Sequence, residues 1–255
     1  MTDLQAAIED LYTAFAGYVR PPTFVGCICC WDGAERPDGQ SRDVPSPGGP
    51  RPLRSLNATE LADVASQVPH LGGSTELLKH YLPRILEICT IGGGFDWPDI
   101  EEVVGHLTYG DGEDRWTAWP EDERGAVRGV LHAMWRDVLT AEVDDEATLD
   151  GTFCSVGIAD PDIDWYLDTW LRFEHPNAAG HLERFLTENS WRMHKGKLVN
   201  AFWFTDQPPA PENRRRIIAW TKAGSTLAAV AGAADRARTP AERESLEECY
   251  LRWLG

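Results

Sequence analysis

The spacing of apolar residues predicts a mainly α-helical chain. After Thr2, a candidate N-cap, apolar side chains recur three and four positions apart as far as Val19, the stripe of an amphipathic helix. Similar stripes behind capping residues or helix-starting prolines predict further helices. These begin near Asn57, Ser74, Asp96, Trp119, Asp160, His175, Pro211 and Thr239.

Two segments interrupt this pattern. Residues 20–55 carry seven prolines and several glycines, which disfavours both helix and central strand, so we expect a long irregular loop after the first helix. Residues 198–204 give the one strand signal in the sequence. The predicted fold class is mainly α, either a multi-helix bundle or a short α-solenoid of stacked HEAT-like helical hairpins, in a single helical domain over residues 1–255.

An internal similarity favours the solenoid. A Pro-Asp-Ile sequence at Pro98 recurs at Pro161, and each is followed by a proline-initiated helix whose sixteenth residue is Trp, namely Trp135 and Trp191. Stacked helical hairpins would produce such a pattern, although proline is common at the first position of any helix.

Charge is distributed unevenly along the chain. The formal net charge is −17, and residues 96–168 hold 20 acidic and only 4 basic residues. An excess of this sign excludes a general nucleic-acid binder and favours a basic protein as the partner. The acidic residues that we expect to contact it are Asp144, Asp145, Glu146, Asp150, Asp160, Asp162 and Asp164. We expect Asp144 to Asp150 to form a solvated acidic loop.

The cysteine-rich segment is the main candidate for metal chemistry. Cys27, Cys29 and Cys30 lie within four residues and could supply thiolates to a structural zinc ion, the one cofactor that the sequence suggests. No second closely spaced pair of ligands accompanies them. The alternative is that they act as small apolar side chains that hold the segment against the core.

Other sequence features bear on location and function class. The first 19 residues lack the basic start and apolar run of a secretory signal, and no uncharged segment reaches the ~20 residues of a membrane helix. We therefore expect a cytoplasmic protein with no membrane partner. Phosphate-loop, nucleophile-elbow and zinc-protease motifs do not occur, which favours a binding protein over an enzyme. Of the 11 tryptophans, we expect Trp31, Trp97, Trp116 and Trp119 to offer contact surface.

Four stretches together resemble an uncharacterised family of mainly helical bacterial proteins. They are Cys27-Ile-Cys29-Cys30, residues 52–56 (PLRSL), residues 78–87 (LKHYLPRILE), and Trp119-Pro120 followed by a helix with Trp135. The resemblance covers about residues 20 to 140. It implies a helical fold and no catalytic residue, because the family has no assigned reaction.

Three functional hypotheses follow from the sequence. The first is a non-enzymatic acidic helical binding protein, such as an immunity or antitoxin-like factor for a basic partner. The second is a helical metalloprotein or enzyme that uses Cys27 to Cys30. The third is a helical-repeat scaffold. The sequence sets neither the partner nor the oligomeric state.

Overall fold

A computed structural model describes residues 2–27, 41–67, 75–109, 112–143, 146–193, 195–237 and 239–254, without the side chains of 25–27, 41–43, 67, 146–148, 191 and 254. The described part is mainly helical, with eleven α-helices, which confirms the predicted fold class; the repeat arrangement stays a prediction. The helices are α1 (Asp3–Ala14), α2 (Ala58–Gln67), α3 (Thr75–Thr90), α4 (Ile100–Gly105), α5 (Glu121–Val138), α6 (Glu146–Ala159), α7 (Ile163–Arg172), α8 (Pro176–Met193), α9 (Ala210–Thr221), α10 (Gly224–Asp235) and α11 (Pro240–Leu254).

The first helices begin at the predicted caps. Thr2 and Gln5 form a capping box, in which the Gln5 amide donates to Thr2 Oγ1 and the Thr2 amide donates to Gln5 Oε1. Asn57 and Glu60 make the same reciprocal pair at the start of α2. Each pair satisfies amide groups that a helix start would otherwise leave without acceptors.

Within the segment from 20 to 55, which we expected to be an irregular loop, the described residues include a β-hairpin. Strands β1 (Thr23–Cys27) and β2 (Ser41–Pro45) pair antiparallel, with Phe24 opposite Val44. In a two-stranded sheet both strands are edges, so proline at the end of β2 removes no hydrogen bond from a central strand. The side chains of Phe24 and Val44 are buried, which gives the hairpin an apolar side.

The predicted strand at 198–204 is wrong. Residues Ala201–Phe204 form a short 3₁₀ turn, and Asn200 caps it by accepting a hydrogen bond from the Phe202 amide. Trp203 is fully buried whereas Phe202 and Phe204 are exposed. The apolar run that predicted a strand is therefore a turn with one anchored indole.

The chain folds into two compact units, Met1–Ala133 and Met134–Gly255, with the boundary inside α5. That the two units form a single domain stays a prediction. In the first unit, the apolar stripe of α3 is buried and Tyr12 of α1 donates to Glu87 of α3 at 2.7 Å. Arg84 donates to the same carboxylate and to the Leu56 carbonyl, so α1, α3 and the segment before α2 are joined by directed hydrogen bonds.

The core of the second unit is aromatic. Trp135, Phe153 and Trp170 lie with ring centroids 5.1 to 5.3 Å apart, and Phe185 contacts the last two. The Trp135 and Trp170 indoles donate to the backbone carbonyls of Tyr166 and Ala178. Large rings with satisfied N–H groups give this unit much buried apolar area without unpaired polar atoms at these two positions.

Glycine substitutions test the packing. Nothing lies within 4 Å of the positions where Cβ atoms would stand at Gly125 and Gly129 in α5, whereas a Cβ at Gly157 in α6 would lie 2.0 Å from the Trp203 ring. We expect Gly125→Ala or Gly129→Ala to raise the free energy of unfolding by ~1 kcal/mol, because alanine favours a helix interior over glycine. Gly157→Ala should lower it by ~1–3 kcal/mol through overpacking.

Equilibrium unfolding in urea measures all three changes, and the identical substitution at each position serves as the control. A stabilising effect at Gly157, or destabilisation at Gly125 and Gly129, would contradict this description of the packing.

Candidate functional site

Asp160, one of the predicted contact residues, is fully buried. Its carboxylate accepts hydrogen bonds from the Tyr166 hydroxyl at 2.9 Å and the Asp162 amide at 3.0 Å. Asn213 Nδ2 donates to the Asp160 and Gly157 backbone carbonyls. Asp160 thus ties the end of α6 to α7 and α9. Because its side chain is inaccessible, Asp160 cannot contact a partner in this fold.

Asp162 and Asp164 are exposed. Asp164 forms an ion pair with Arg216 of α9, which compensates its charge locally. The Asp162 side chain forms no ion pair within the part of the chain that the structure describes. Of the three aspartates around the start of α7, Asp162 is therefore the one best placed to attract a basic group.

The predicted acidic loop at 144–150 is largely helical instead. α6 begins at Glu146, so Asp150 lies in its second turn and is half-buried. Asp144, Asp145 and the Glu146 side chain lie outside the described residues. The helix dipole stabilises acidic residues at the start of a helix. From Glu146 onward, the acidic segment is therefore carried on helical backbone.

Three side chains of α8 hold the chain that leads to Asp144. Asn177 Nδ2 donates to the Thr140 and Ala141 carbonyls, and Arg184 Nη1 donates to the Val143 carbonyl at 2.5 Å. His181 Nε2 lies 3.1 Å from the Ala141 carbonyl oxygen. These residues are four and three positions apart and share one face of α8. They satisfy the carbonyl groups that follow α5 and fix the path of residues 140–143.

His181 is sensitive to pH. It is 1% exposed, and burial lowers the pKa of its imidazole below the ordinary value, assisted by the neighbouring charges of Arg184 and His175. The hydrogen bond to Ala141 acts in the opposite direction without reversing the shift. The folded chain therefore favours neutral His181.

The cysteine-rich segment lies almost entirely outside the described residues. Cys27 ends β1 with its side chain outside the description, as are Cys29 and Cys30, so the zinc hypothesis stays a prediction. Among the described residues, no three His, Cys, Asp or Glu side chains are grouped to hold a metal ion. Burial raises the pKa of the Cys89 thiol to about 12 and, with the charge of Glu183, that of Cys249 to about 11. Both thiols therefore stay protonated at neutral pH.

A buried ion pair in the first unit was not predicted from the sequence. Lys79 of α3 and Glu123 of α5 are 7% and 5% exposed, and their charged atoms lie 2.7 Å apart. The Tyr18 hydroxyl donates to Glu123 at 2.5 Å and accepts from Lys79 at 3.0 Å. Lys79 Nζ also lies 4.5 Å from the centroid of the Trp119 ring.

The environment of Lys79 keeps it charged. Burial disfavours the ammonium form, but hydrogen bonds to Glu123 and Tyr18, together with the charge of Glu123, outweigh it and raise the pKa of Lys79. This cluster therefore joins α3, α5 and the chain after α1 through directed contacts.

Described residues line a groove in each unit. In the first unit, a groove of about 380 Å³ runs between small side chains of α1 and α5, with Asp10 and Asp122 on its walls. In the second unit, a groove of about 790 Å³ has Arg172, Arg236, Glu174 and Glu242 among its lining residues. The second groove matches cations with carboxylates, so it has no preference for one sign of ligand charge.

The tryptophan predictions have mixed outcomes. Trp97 is 55% exposed, as expected for contact surface, but Trp116 and Trp119 are buried. Trp116 packs under the Arg128 guanidinium, and the Trp119 indole donates to the Asp114 carbonyl. Trp31 lies outside the described residues.

Comparisons with family models, with curated proteins and with solved structures find no match for this chain. In the described part of the chain, no single helix has the length and apolar character to cross a membrane. α9 and α10 reach that length and apolar character only when taken together, and they are bent by 53°.

The Lys79 and Glu123 pair can be tested by mutation. Lys79→Met should lower the free energy of unfolding by ~3–5 kcal/mol, because it leaves a buried carboxylate without a partner. Combining it with Glu123→Leu should recover most of that loss, since no charge then remains buried. Denaturant unfolding measures both variants.

Asp168→Asn supplies the comparison, because Asp168 and Arg172 form an exposed ion pair whose loss should cost less than ~1 kcal/mol. If Lys79→Met were no more harmful than Asp168→Asn, the buried pair would not have the structural role described.

The lowered pKa of His181 predicts that the protein loses stability in mild acid. Below the ordinary histidine pKa of about 6.5, the unfolded chain takes up a proton that the folded chain resists. The contribution of His181 to stability is therefore complete above that pH and declines as the pH falls below it. The free energy of unfolding, measured from neutral pH to about pH 5, should fall less steeply in His181→Gln than in the parent.

His80 lies in the other unit and also has a lowered pKa through burial, so it contributes equally to the parent and to His181→Gln. The difference between the two pH profiles isolates His181. Superimposable profiles would remove it as a determinant of acid stability.

Proposed function

We propose that this chain is a non-enzymatic, acidic helical protein that binds a basic partner protein through residues 96–168. The supporting observation is a set of exposed carboxylates in that segment that form no ion pair within the described residues. They are Asp96, Asp99, Glu113, Glu121, Asp122, Asp137, Glu142 and Asp162.

Three of the four basic residues of this segment have other contacts. Arg124 donates to the Thr117 carbonyl, and the guanidinium groups of Arg128 and Arg136 lie over the rings of Trp116 and Trp165. The eight carboxylates named above face solvent without an ion pair in the described part of the chain. Such a surface contributes self-repulsion to the fold, and its benefit is faster and more selective encounter with a basic partner.

The positions of the carboxylates also favour recognition. Asp99 stands at the N-cap of α4, and Glu121 and Asp122 lie in the first turn of α5. Backbone at a helix start is fixed, and the helix dipole stabilises the anionic form of these side chains. A basic partner would therefore meet ordered charges. An immunity or antitoxin-like factor that neutralises a basic protein would work through such a surface.

The other two functions stay predictions. The metalloprotein hypothesis depends on Cys27, Cys29 and Cys30, whose side chains lie outside the described part of the chain. The scaffold hypothesis depends on the repeat. The helices that begin at the two Pro-Asp-Ile sequences differ in length, with 6 and 10 residues, so this part of the pattern gives the repeat little support.

Affinity capture from the native host tests the binding proposal. The full chain should retain a basic protein at low salt and release it at high salt, and mass spectrometry identifies that protein. With the identified partner, Asp96→Asn/Glu113→Gln/Asp122→Asn tests the first unit and Asp137→Asn/Glu142→Gln/Asp162→Asn the second. At least one triple variant should lower the association rate constant by ~10-fold or more.

The matched control is Glu244→Gln/Glu247→Gln/Glu248→Gln in α11, which removes the same number of exposed acidic charges outside residues 96–168. Retention of no basic protein at low salt, or equal effects of all three triple variants, would contradict the proposal.

A further inference from the structure

The turn at Ala201–Phe204 presents apolar side chains to solvent from a rigid base. Trp203 is fully buried between α6 and α9, with its ring against Gly157 and 5.9 Å from the Phe153 ring centroid. The residues on either side of this anchor face outward, so Phe202 and Phe204 are 38% and 42% exposed, and nearby Val199 is 38% exposed. Three large apolar side chains therefore lie at the surface within six residues.

Two cations lie beside the Phe204 ring. Lys197 Nζ and the Arg214 guanidinium carbon lie 5.6 and 5.8 Å from the ring centroid, and Arg214 Nη1 donates to the Trp203 carbonyl. The next residue, Arg215, is exposed. Within the described part of the chain, none of these three cations forms an ion pair, whereas the next residue, Arg216, pairs with Asp164. Residues 195–216 carry five basic and two acidic residues in a protein with a net charge of −17.

We propose that Val199, Phe202 and Phe204, with Lys197 and Arg214, form a docking surface for an anionic lipid bilayer, which we call the Phe204 surface. This inference is independent of the proposed function, because it uses a different part of the chain and the opposite sign of charge. It departs from the expectation of no membrane partner, which depended on the lack of a secretory signal and of a membrane-spanning segment.

Its chemistry fits a bilayer interface. Apolar side chains that protrude among cations enter the boundary between headgroups and acyl chains, while the cations remain with the lipid phosphates. Each Lys or Arg close to an anionic bilayer strengthens binding by about fivefold. The acidic residues of 96–168 oppose approach at long range, but screening reduces such effects beyond about 8 Å at physiological ionic strength.

Other anionic partners fit less well. An extended peptide or a peptide helix is recognised through a sheet edge or a groove, and neither of the two grooves described above is lined by these residues. Single-stranded nucleic acid is held in a cationic groove that follows its backbone. A short protruding turn suits a flat, deformable surface.

Vesicle sedimentation with the full chain tests the proposal. The chain should sediment with phosphatidylserine-containing vesicles at low salt, and not with pure phosphatidylcholine vesicles, and high salt should release it. Lys197→Ala should weaken the partition coefficient by about fivefold. Phe202→Ser/Phe204→Ser should abolish sedimentation. Circular dichroism and urea unfolding establish that the variants are folded.

The matched control is Lys222→Ala, which removes the same charge from an exposed position at the other end of α9 and should leave the partition coefficient unchanged. Three outcomes would overturn the proposal. They are failure to sediment with phosphatidylserine-containing vesicles, equal loss in Lys197→Ala and Lys222→Ala, and tighter binding of a single-stranded oligothymidylate that Lys197→Ala weakens.

Discussion

The ion pair between Lys79 and Glu123 is the constraint on which the first unit depends. It joins α3 to α5, and through Tyr18 it also holds the chain after α1. Charges are costly to bury, and this pair is tolerated because each member has a charged partner and the Tyr18 hydroxyl contacts both. The chain has 24 basic and 41 acidic residues, so a buried lysine is a cation that does not compensate the charge of the acidic surface.

Sequence patterns predicted the helices that have one buried face and failed for those that do not. α1 and α3 have an apolar stripe opposite polar residues, and α1 also has a capping residue, which together are specific signals. α6 and α10 consist mostly of Ala, Gly, Val and small polar residues, so their composition is similar on all sides and no stripe marks them. A helix of that kind is recognised only when its neighbours are known.

The candidate site was predictable in charge but not in accessibility. A count of acidic residues treats Asp160, Asp162 and Glu123 alike, although Asp160 and Glu123 are buried. A signal for Asp160 was present, since an Asp two residues before a second Asp at a helix start can accept the hydrogen bond of its amide. Lys79 offered another, because it interrupts the apolar stripe of α3 between Leu78 and Tyr81.

Because charge is distributed unevenly along the chain, the two proposed surfaces would attract their partners over different distances. A basic partner of the proposed kind would be attracted both by the carboxylates of residues 96–168 and by the net charge of −17, so at low ionic strength steering would begin before contact. An anionic surface is repelled by the same net charge and attracted only by the cations around Phe204, within about a Debye length of ~8 Å at physiological salt. In the two proposals, attraction to the acidic segment would therefore govern the rate of encounter with a basic partner, whereas the Phe204 surface would act only once apolar contact is already within reach.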